Sequence, residues 1–333
     1  MLAASDGWLL GREVALEGRT VVVASHHDPP RVGRSYFFRL PAFARAGTFG
    51  FVDATVRACA GDKAVAADFL ANLEPFIWRK YLDFAAIEEE HWWFVGRRQI
   101  MRTLLAEILP PHANSRVVDV GCGTGANIAS LADAYEVLGI DTTPEAIRLS
   151  QDRFPGVTFV CGRAPQDLGE RASHVDAFLL MDVLEHVAEP RALLAELTNA
   201  LRPGGFVLIT VPADMRLWSA HDVSFGHFLR YEMATFRDLW KDLPVRERLV
   251  SCFNSRLYPI VFAIRKVTAW RNRPWGGAGS DLSMPPSVVN DVLARILAGE
   301  SRRLARAMRG EQMPYRRGVS LVAILERGMG DGA

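Results

Sequence analysis

The sequence predicts an α/β fold in which a parallel sheet is covered by helices on both faces. Three observations carry this expectation. Short apolar runs recur between Val117 and Ala213, amphipathic helical segments separate them, and a glycine-rich turn closes the first run. Strands alternating with such helices describe βαβ units, whose crossovers place successive strands parallel.

The elements follow in order. VVDV (117–120) is the first strand and GANIASLADA (125–134) the helix after its turn. YEVLGID (135–141) is the second strand, and PEAIRLSQDRF (144–154) a helix opened by a proline in its first turn. VTFVCG (157–162) and VDAFLLMD (175–182) are the third and fourth strands. PRALLAELTNALR (190–202) is a helix, and GFVLITVPA (205–213) the fifth strand. Val245 to Phe253 and Val319 to Leu325 read as a last, antiparallel pair at the edge. Upstream, Trp78 to Ile108 reads as one long helical region, with Phe84, Ile87, His91, Phe94, Ile100 and Leu104 at helical spacing.

Residues 1–75 read as an N-terminal extension, with a strand at Arg19 to Ser25, a polar loop HHDPPRVGRS, and a helix from Ala64 to Leu73. The expected layout is completed by a helical lid over 76–114, a ligand-binding core over 115–254, a helical insertion over 255–318, and a last strand and tail over 319–333.

Composition narrows the function classes. With 49% hydrophobic and 23% charged residues, the chain has ordinary globular content. Lys and Arg number 39 against 38 acids, which argues against nucleic acid as a partner, since phosphate neutralisation calls for a basic excess. Cys59, Cys122, Cys161 and Cys252 form no Cys-x-x-Cys pair, which suits a reducing cytoplasmic setting. The start MLAASDGWLLGREVALEGR lacks the basic opening and apolar run of a signal peptide. No stretch approaches the ~18 apolar residues of a membrane span.

The turn Gly121-Cys122-Gly123-Thr124-Gly125 stands where doubly wound sheets bind ligands, at the carboxyl end of the first strand. Glycines serve there where the backbone needs positive φ or where a ligand approaches the main chain. Asp119, at the strand end, is suited to accept from loop amides or to hold the amino group of an amino-acid-like ligand. Asp141, at the end of the second strand, is placed to accept two ribose hydroxyls. Read as G-x-G-x-x-A, Gly121, Gly123 and Ala126 would also satisfy a dinucleotide fingerprint, with Asp141 as its acid. Against that stand Asp119 two residues before the first glycine, Leu184-Glu185-His186 after the fourth strand, and Leu201-Arg202-Pro203-Gly204-Gly205 before the fifth.

In this order and spacing, these elements resemble the class I S-adenosylmethionine-dependent methyltransferases, closely over residues 90–215 and loosely elsewhere. The resemblance implies a Rossmann-like seven-stranded sheet, S-adenosyl-L-methionine as cofactor, and methyl transfer to a small-molecule, glycan or lipid-linked acceptor, expected at a hydroxyl. It implies that Asp119, Gly121, Cys122, Gly123 and Gly125 line the methionine portion, and that Asp141 and Thr142 meet the ribose and adenine. Gly162, Arg163 and Ala164 would sit at the adenine edge, and Asp182 and Val183 would close over the cofactor. His91-Trp92-Trp93-Phe94 with Gly96-Arg97-Arg98 looks like the lid helix of this family, giving Trp93 and Arg97 to the cofactor. A second, short resemblance links Ala60-Gly61-Asp62 and Phe69 to Glu89 with glutamine-synthetase adenylyltransferases, without their acidic nucleotidyl-transfer motif.

Methyl transfer is an in-line displacement, so the protein positions the acceptor and takes a proton when the acceptor is a hydroxyl. His186, His221, His227 and Tyr231 are the catalytic candidates, falling after the fourth and fifth strands. Asp182, Glu185 and His186 resemble a segment that binds a divalent metal in ubiquinone-type O-methyltransferases. Those enzymes carry Trp-Trp-Asp where this chain has Trp92-Trp93-Phe94, so no metal site is expected here; a metal-assisted enzyme of that type and a non-catalytic cofactor-binding protein are the alternatives. In the insertion, SRLYPIVFAIRKVTAW (255–270) suits a roof over the acceptor or peripheral contact with a membrane surface. RPWGGAGSDLSMPP (273–286) reads as a loop, and Ser287 to Arg309 as one helix carrying Arg302, Arg303, Arg306 and Arg309.

Overall fold

The computed structural model describes residues 81–225, 227–271 and 283–328, with the backbone of four short strands before them. Those four are β1 (Trp8–Leu9), β2 (Glu13–Leu16), β3 (Arg19–Val22) and β4 (Ser25–His26), with β2 antiparallel to β3 and β1 to β4. The expected helix at 64–73 and most of the adenylyltransferase-like stretch lie outside the described residues.

The main sheet has seven strands: β5 (Arg116–Val120), β6 (Glu136–Asp141), β7 (Thr158–Cys161), β8 (Ala177–Met181), β9 (Phe206–Pro212), β10 (Val245–Phe253) and β11 (Ser320–Arg327). Their spatial order is β10-β11-β9-β8-β5-β6-β7. The first five pair in parallel, and β11 lies antiparallel between β9 and β10. This is a Rossmann-like seven-stranded sheet, as the resemblance implies. Every residue of β9, FVLITVP, is buried, as a central strand covered on both faces requires.

Helices α1 (Trp92–Ile108), α2 (Ala126–Ala129), α3 (Pro144–Arg153) and α4 (Pro190–Ala200) connect or cover these strands. Helix α3 opens on Pro144 with Glu145 in its first turn and ends on Arg153, each end matching the helix dipole. Short α5 (Ala220–Phe225) and α6 (Met233–Arg237) follow β9, and α7 (Tyr258–Arg271), α8 (Ser287–Ala298) and α9 (Ser301–Met308) lie between β10 and β11.

Two apolar clusters pack the two faces of the sheet. One holds Phe178, Leu194 and Phe236; the other holds Ile100, Leu104, Phe253, Leu297 and Val322. The second cluster makes the insertion part of the core, because Leu297 of α8 and Leu304 of α9 are fully buried beside α1.

Two expected helices are broken. The region 78–108 is helical over 81–87 and restarts at Trp92, because His91 turns extended and caps α1, its Nδ1 accepting from Trp93 N at 3.3 Å. The stretch 287–309 divides at Gly299 and Glu300, where the Glu300 carboxylate turns inward to accept from the amides of Ser255 and Arg256, both at 2.8 Å.

Candidate active site

The carboxyl end of β5 lies where the strand order changes direction, with β6 on one side and β8 on the other. Crevices of this kind receive ligands in doubly wound sheets. The turn that leaves β5 has positive φ at Gly121 (72°), Gly123 (54°) and Gly125 (88°). Amides of Gly121 and Cys122 donate to the Ile140 carbonyl at 2.8 and 3.1 Å. The Asp141 carboxylate accepts from Gly123 N and from Thr143 N, each at 2.9 Å.

The glycines do different work. A Cβ at Gly121 would stand 2.8 Å from a Val183 methyl, and one at Gly125 would stand 2.8 Å from Phe159 and Ser150. At Gly123 a Cβ would meet nothing within 4 Å. Gly121 and Gly125 are thus set by packing, while Gly123 borders open space. Cys122 is buried beneath the turn, against Gly139.

Asp119 has no exposed surface, and neither of its carboxylate oxygens has a hydrogen-bond partner. Buried polar groups are almost always paired, so such a carboxylate marks a place where a donor is expected. Burial pushes its pKa up to about 7 against the pull of Arg97. Arg97 is itself buried, forms an ion pair with Asp182, and lies near the rings of Trp93 and Phe94. Asp182 has a positive φ of 59°, a conformation that non-glycine residues keep mainly where the surroundings enforce it. Its amide donates to the Thr210 carbonyl at 3.0 Å, and its carboxylate accepts from the Thr210 hydroxyl at 3.1 Å.

The segment before α1 is locked to the glycine turn. Glu88, 6% exposed, accepts from the Thr124 hydroxyl at 2.5 Å and pairs with Arg153 of α3, which also donates to the Thr124 carbonyl at 2.9 Å. Tyr81 donates to the Thr143 hydroxyl at 3.2 Å. Trp93 stacks on Phe253 at the end of β10, with ring centroids 5.8 Å apart.

Beside this crevice, the turn Leu184–His186 after β8 meets the segment after β9. Glu185 is fully buried with neither carboxylate oxygen hydrogen-bonded, and burial together with Asp182 raises its pKa well above the ordinary value. One ligand atom each of Glu185, His186 and His227 lie within 4.8 Å of one another. Asp222 binds His227 Nδ1 at 2.9 Å and accepts from Arg230 Nε at 2.7 Å. These partners hold the Asp222 carboxyl far below the usual range despite its burial, so it is ionised and can only accept. His227 Nδ1 therefore carries the proton, and Nε2 is the nitrogen able to accept one. His221 packs on Phe225, and burial drives its pKa down to about 3.

The family assignment rests on this core. Residues 118–209, running from β5 into β9, match the family model for a methyltransferase domain. They form a class I methyltransferase domain. Trans-aconitate 2-methyltransferase of Deinococcus radiodurans is 32% identical over 114 residues, covering 33% of this chain and 43% of that protein. Ubiquinone biosynthesis O-methyltransferase of Xanthomonas axonopodis pv. citri is 29% identical over 139 residues, covering 38% of this chain and 58% of that protein. The chain thus matches about half the length of these curated relatives. A solved structure of the plantazolicin methyltransferase BpumL in complex with SAH aligns with 13% identity and a TM-score of 0.46, over 75% of this chain and 90% of that one.

Within the methyltransferase domain and its flanks, the structure gathers Asp119, Gly121, Gly123, Asp141, Asp182 and Val183 around one crevice. Thr142 and Arg163 are exposed at its outer edge, beside half-buried Gly162 and buried Ala164. Two expected side chains are engaged differently from the reading of the sequence. Arg97 is already paired with Asp182. Tyr231, expected to be catalytic, is 2% exposed and donates to the Leu184 carbonyl at 3.2 Å, so it holds the wall in place. Sequence reasoning missed Glu88, Arg153 and Thr210, whose partners are remote in sequence, and it grouped Asp182 with Glu185 and His186 where the structure brings in His227 instead.

Proposed function

We propose that this chain transfers a methyl group from S-adenosylmethionine to a hydroxyl of a small-molecule, glycan or lipid-linked acceptor. The observation that carries this reading is Asp119, a buried carboxylate without a partner beneath a turn whose Gly123 borders open space. The ammonium of an amino-acid-like cofactor would satisfy it, so the residues fit that group. S-adenosylmethionine supplies an electrophilic methyl on a sulfonium centre.

The chain supplies position and proton transfer. Asp119 and the backbone of Gly121, Cys122, Gly123 and Gly125 hold the amino-acid end. Asp141, fixed by the amides of Gly123 and Thr143 at the end of β6, accepts the ribose hydroxyls. Thr142, Gly162, Arg163 and Ala164 border the adenine, while Trp93, Arg97, Asp182 and Val183 exclude water. His227 is the best-oriented base, because Asp222 fixes its tautomer with Nε2 free to take the acceptor's proton. His186, with its ring 4.8 Å from that of His227, adjoins the same point. His221, pushed down to about 3, is the weaker base of the three candidates. The similarity to a ubiquinone biosynthesis O-methyltransferase supports oxygen as the methylated atom.

Calorimetry tests the donor: heat is expected with S-adenosylmethionine and none with a dinucleotide, and Asp141→Ala should abolish it. Equal heat from the variant would overturn the assignment. Release of S-adenosylhomocysteine across an acceptor library tests turnover, and full activity in both His227→Ala and His186→Ala would remove the proposed base.

A second reading, metal-assisted transfer, is favoured by one observation, the convergence of Glu185, His186 and His227. Asp222 behind His227 orients it as carboxylates orient metal-binding histidines. Bound divalent metal in the purified protein, with activity lost to a chelator and restored by metal, would support this reading over the first.

A further inference from the structure

Away from the glycine turn, a cavity of about 860 Å³ opens between α8, α9 and the segment that follows β10. Arg256, Arg295, Arg302, Arg303 and Arg306 line it with Tyr315, and no residue of the cofactor turn or of the His186–His227 cluster does. A neighbouring cavity shares Arg256, Arg303 and Tyr315 and adds Arg316 and Arg317. In a chain whose formal charge is only +1, this is a local concentration of cations and not general basicity.

The nearby acids neutralise it only in part. Glu300 is fully buried, and its Oε1 accepts from the amides of Ser255 and Arg256. Glu311 is shared between Arg306, at 3.5 Å, and Arg309, at 2.8 Å. Among the described residues, no carboxylate pairs with Arg295, Arg302, Arg316 or Arg317. Arg302 and Arg306 stand four residues apart on α9, where like charges on one face destabilise a helix. Four arginines without a carboxylate partner, and two like charges on one helix face, point to an external counter-charge.

Arg303 is the most constrained member. Its guanidinium lies 4.3 Å from the centre of the Tyr315 ring and donates to the Met313 carbonyl at 3.2 Å, and its buried Nε has no hydrogen-bond partner. Guanidinium forks match the geometry of phosphoryl oxygens, and several in one concavity suit a compact charge of two or more. The volume is that of an ordinary ligand pocket and exceeds a single phosphate.

We propose that this cavity binds a phosphate-bearing ligand, with Arg302, Arg303 and Arg306 on the phosphoryl oxygens and Arg256 and Arg295 at its rim. The ligand is a soluble phosphate ester or a lipid phosphate headgroup, two sources of one chemistry. The site stands apart from the cofactor crevice, and its test needs no methyl transfer.

Inorganic pyrophosphate titrated calorimetrically into the full-length protein at low salt should bind saturably and more tightly than citrate. The double variant Arg302→Gln, Arg306→Gln should weaken it at least tenfold. Arg246→Gln, which removes one exposed charge that lines neither cavity, should change it less than twofold. Circular dichroism and S-adenosylmethionine binding report whether each variant is folded. Flotation with phosphatidylglycerol and phosphatidylcholine vesicles separates the sources. Retention on phosphatidylglycerol that the double variant loses assigns the lipid, and pyrophosphate binding without flotation assigns the soluble ester. Absence of saturable binding, equal affinity for citrate, or an equal loss in Arg246→Gln would overturn the proposal.

Discussion

The Asp222 carboxylate lies 2.9 Å from His227 Nδ1, and its buried side chain also receives Arg230. One carboxylate therefore orients a histidine at the crevice and neutralises a cation that is 5% exposed. Asp222→Asn keeps the shape but removes the charge, leaving Arg230 buried without its counterion. Breaking a buried pair in this way costs about 3 kcal/mol. The expected outcome is a lower melting temperature together with at least a tenfold loss of turnover, the second because the His227 tautomer is no longer fixed. Thermal unfolding and S-adenosylhomocysteine release on the same sample check both parts.

Asp119 makes a prediction in the opposite direction. Its carboxyl is raised to about 7 by burial, so in the unliganded protein it prefers the protonated form. Between the ordinary carboxylate range near 4 and about 7, the folded state holds a proton that the unfolded state has lost, and stability falls as pH rises through this window. Asp119→Asn removes that penalty. The variant's melting temperature relative to the parent should therefore rise between pH 5.5 and pH 8, by an amount on the order of 2 kcal/mol in stability. The same variant should lose cofactor binding. An identical pH dependence of the two proteins would show that Asp119 does not titrate in this range.

The glycine turn separates packing from binding. Gly121→Ala adds a Cβ 2.8 Å from Val183 at a φ of 72°, so it carries both a clash and a conformational cost. Gly123→Ala, at a φ of 54°, carries only the second, roughly 1–2 kcal/mol, because its Cβ faces open space. Gly121→Ala is therefore expected to unfold at the lower temperature. Gly123→Ala should remain folded yet bind S-adenosylmethionine at least tenfold more weakly. Melting curves and calorimetry decide the ordering.

The legible parts of this molecule were those in which cause and effect are close in sequence. The sheet could be read because each parallel strand is a compact apolar run, and the crevice at the end of β5 because Asp119, Gly121 and Gly123 fall within five positions. The breaks at His91 and Gly299 were not legible. His91 fits the helical period that it ends, and the reason for the turn at Glu300 is a pair of amides at Ser255 and Arg256. The acceptor side failed in the same way. Glu185 and His186 were visible as neighbours, but His227 joins them only because the segment after β9 folds back, its Phe228 amide donating to the Glu185 carbonyl at 2.8 Å. Spacing groups Asp182 with them, while its side chain pairs with Arg97 of α1 and accepts from Thr210 of β9.

Glu88 offers a test of whether the segment at α1 acts as a lid. Its carboxylate ties the segment before α1 to Thr124 in the glycine turn and to Arg153 on α3, so one side chain couples three elements. Glu88→Gln retains a hydrogen-bonding group for Thr124 but leaves Arg153 with only the exposed Glu89 as its acidic partner. The loss of one charge-assisted bond at a buried site is worth about 2 kcal/mol. Because that coupling is local, the expected result is faster amide hydrogen exchange in the first turns of α1, with the protection of β8 and β9 unchanged. Cofactor affinity should fall several-fold through the loosened lid. Uniform loss of protection across the sheet would instead mean that Glu88 supports the whole fold and not the lid alone.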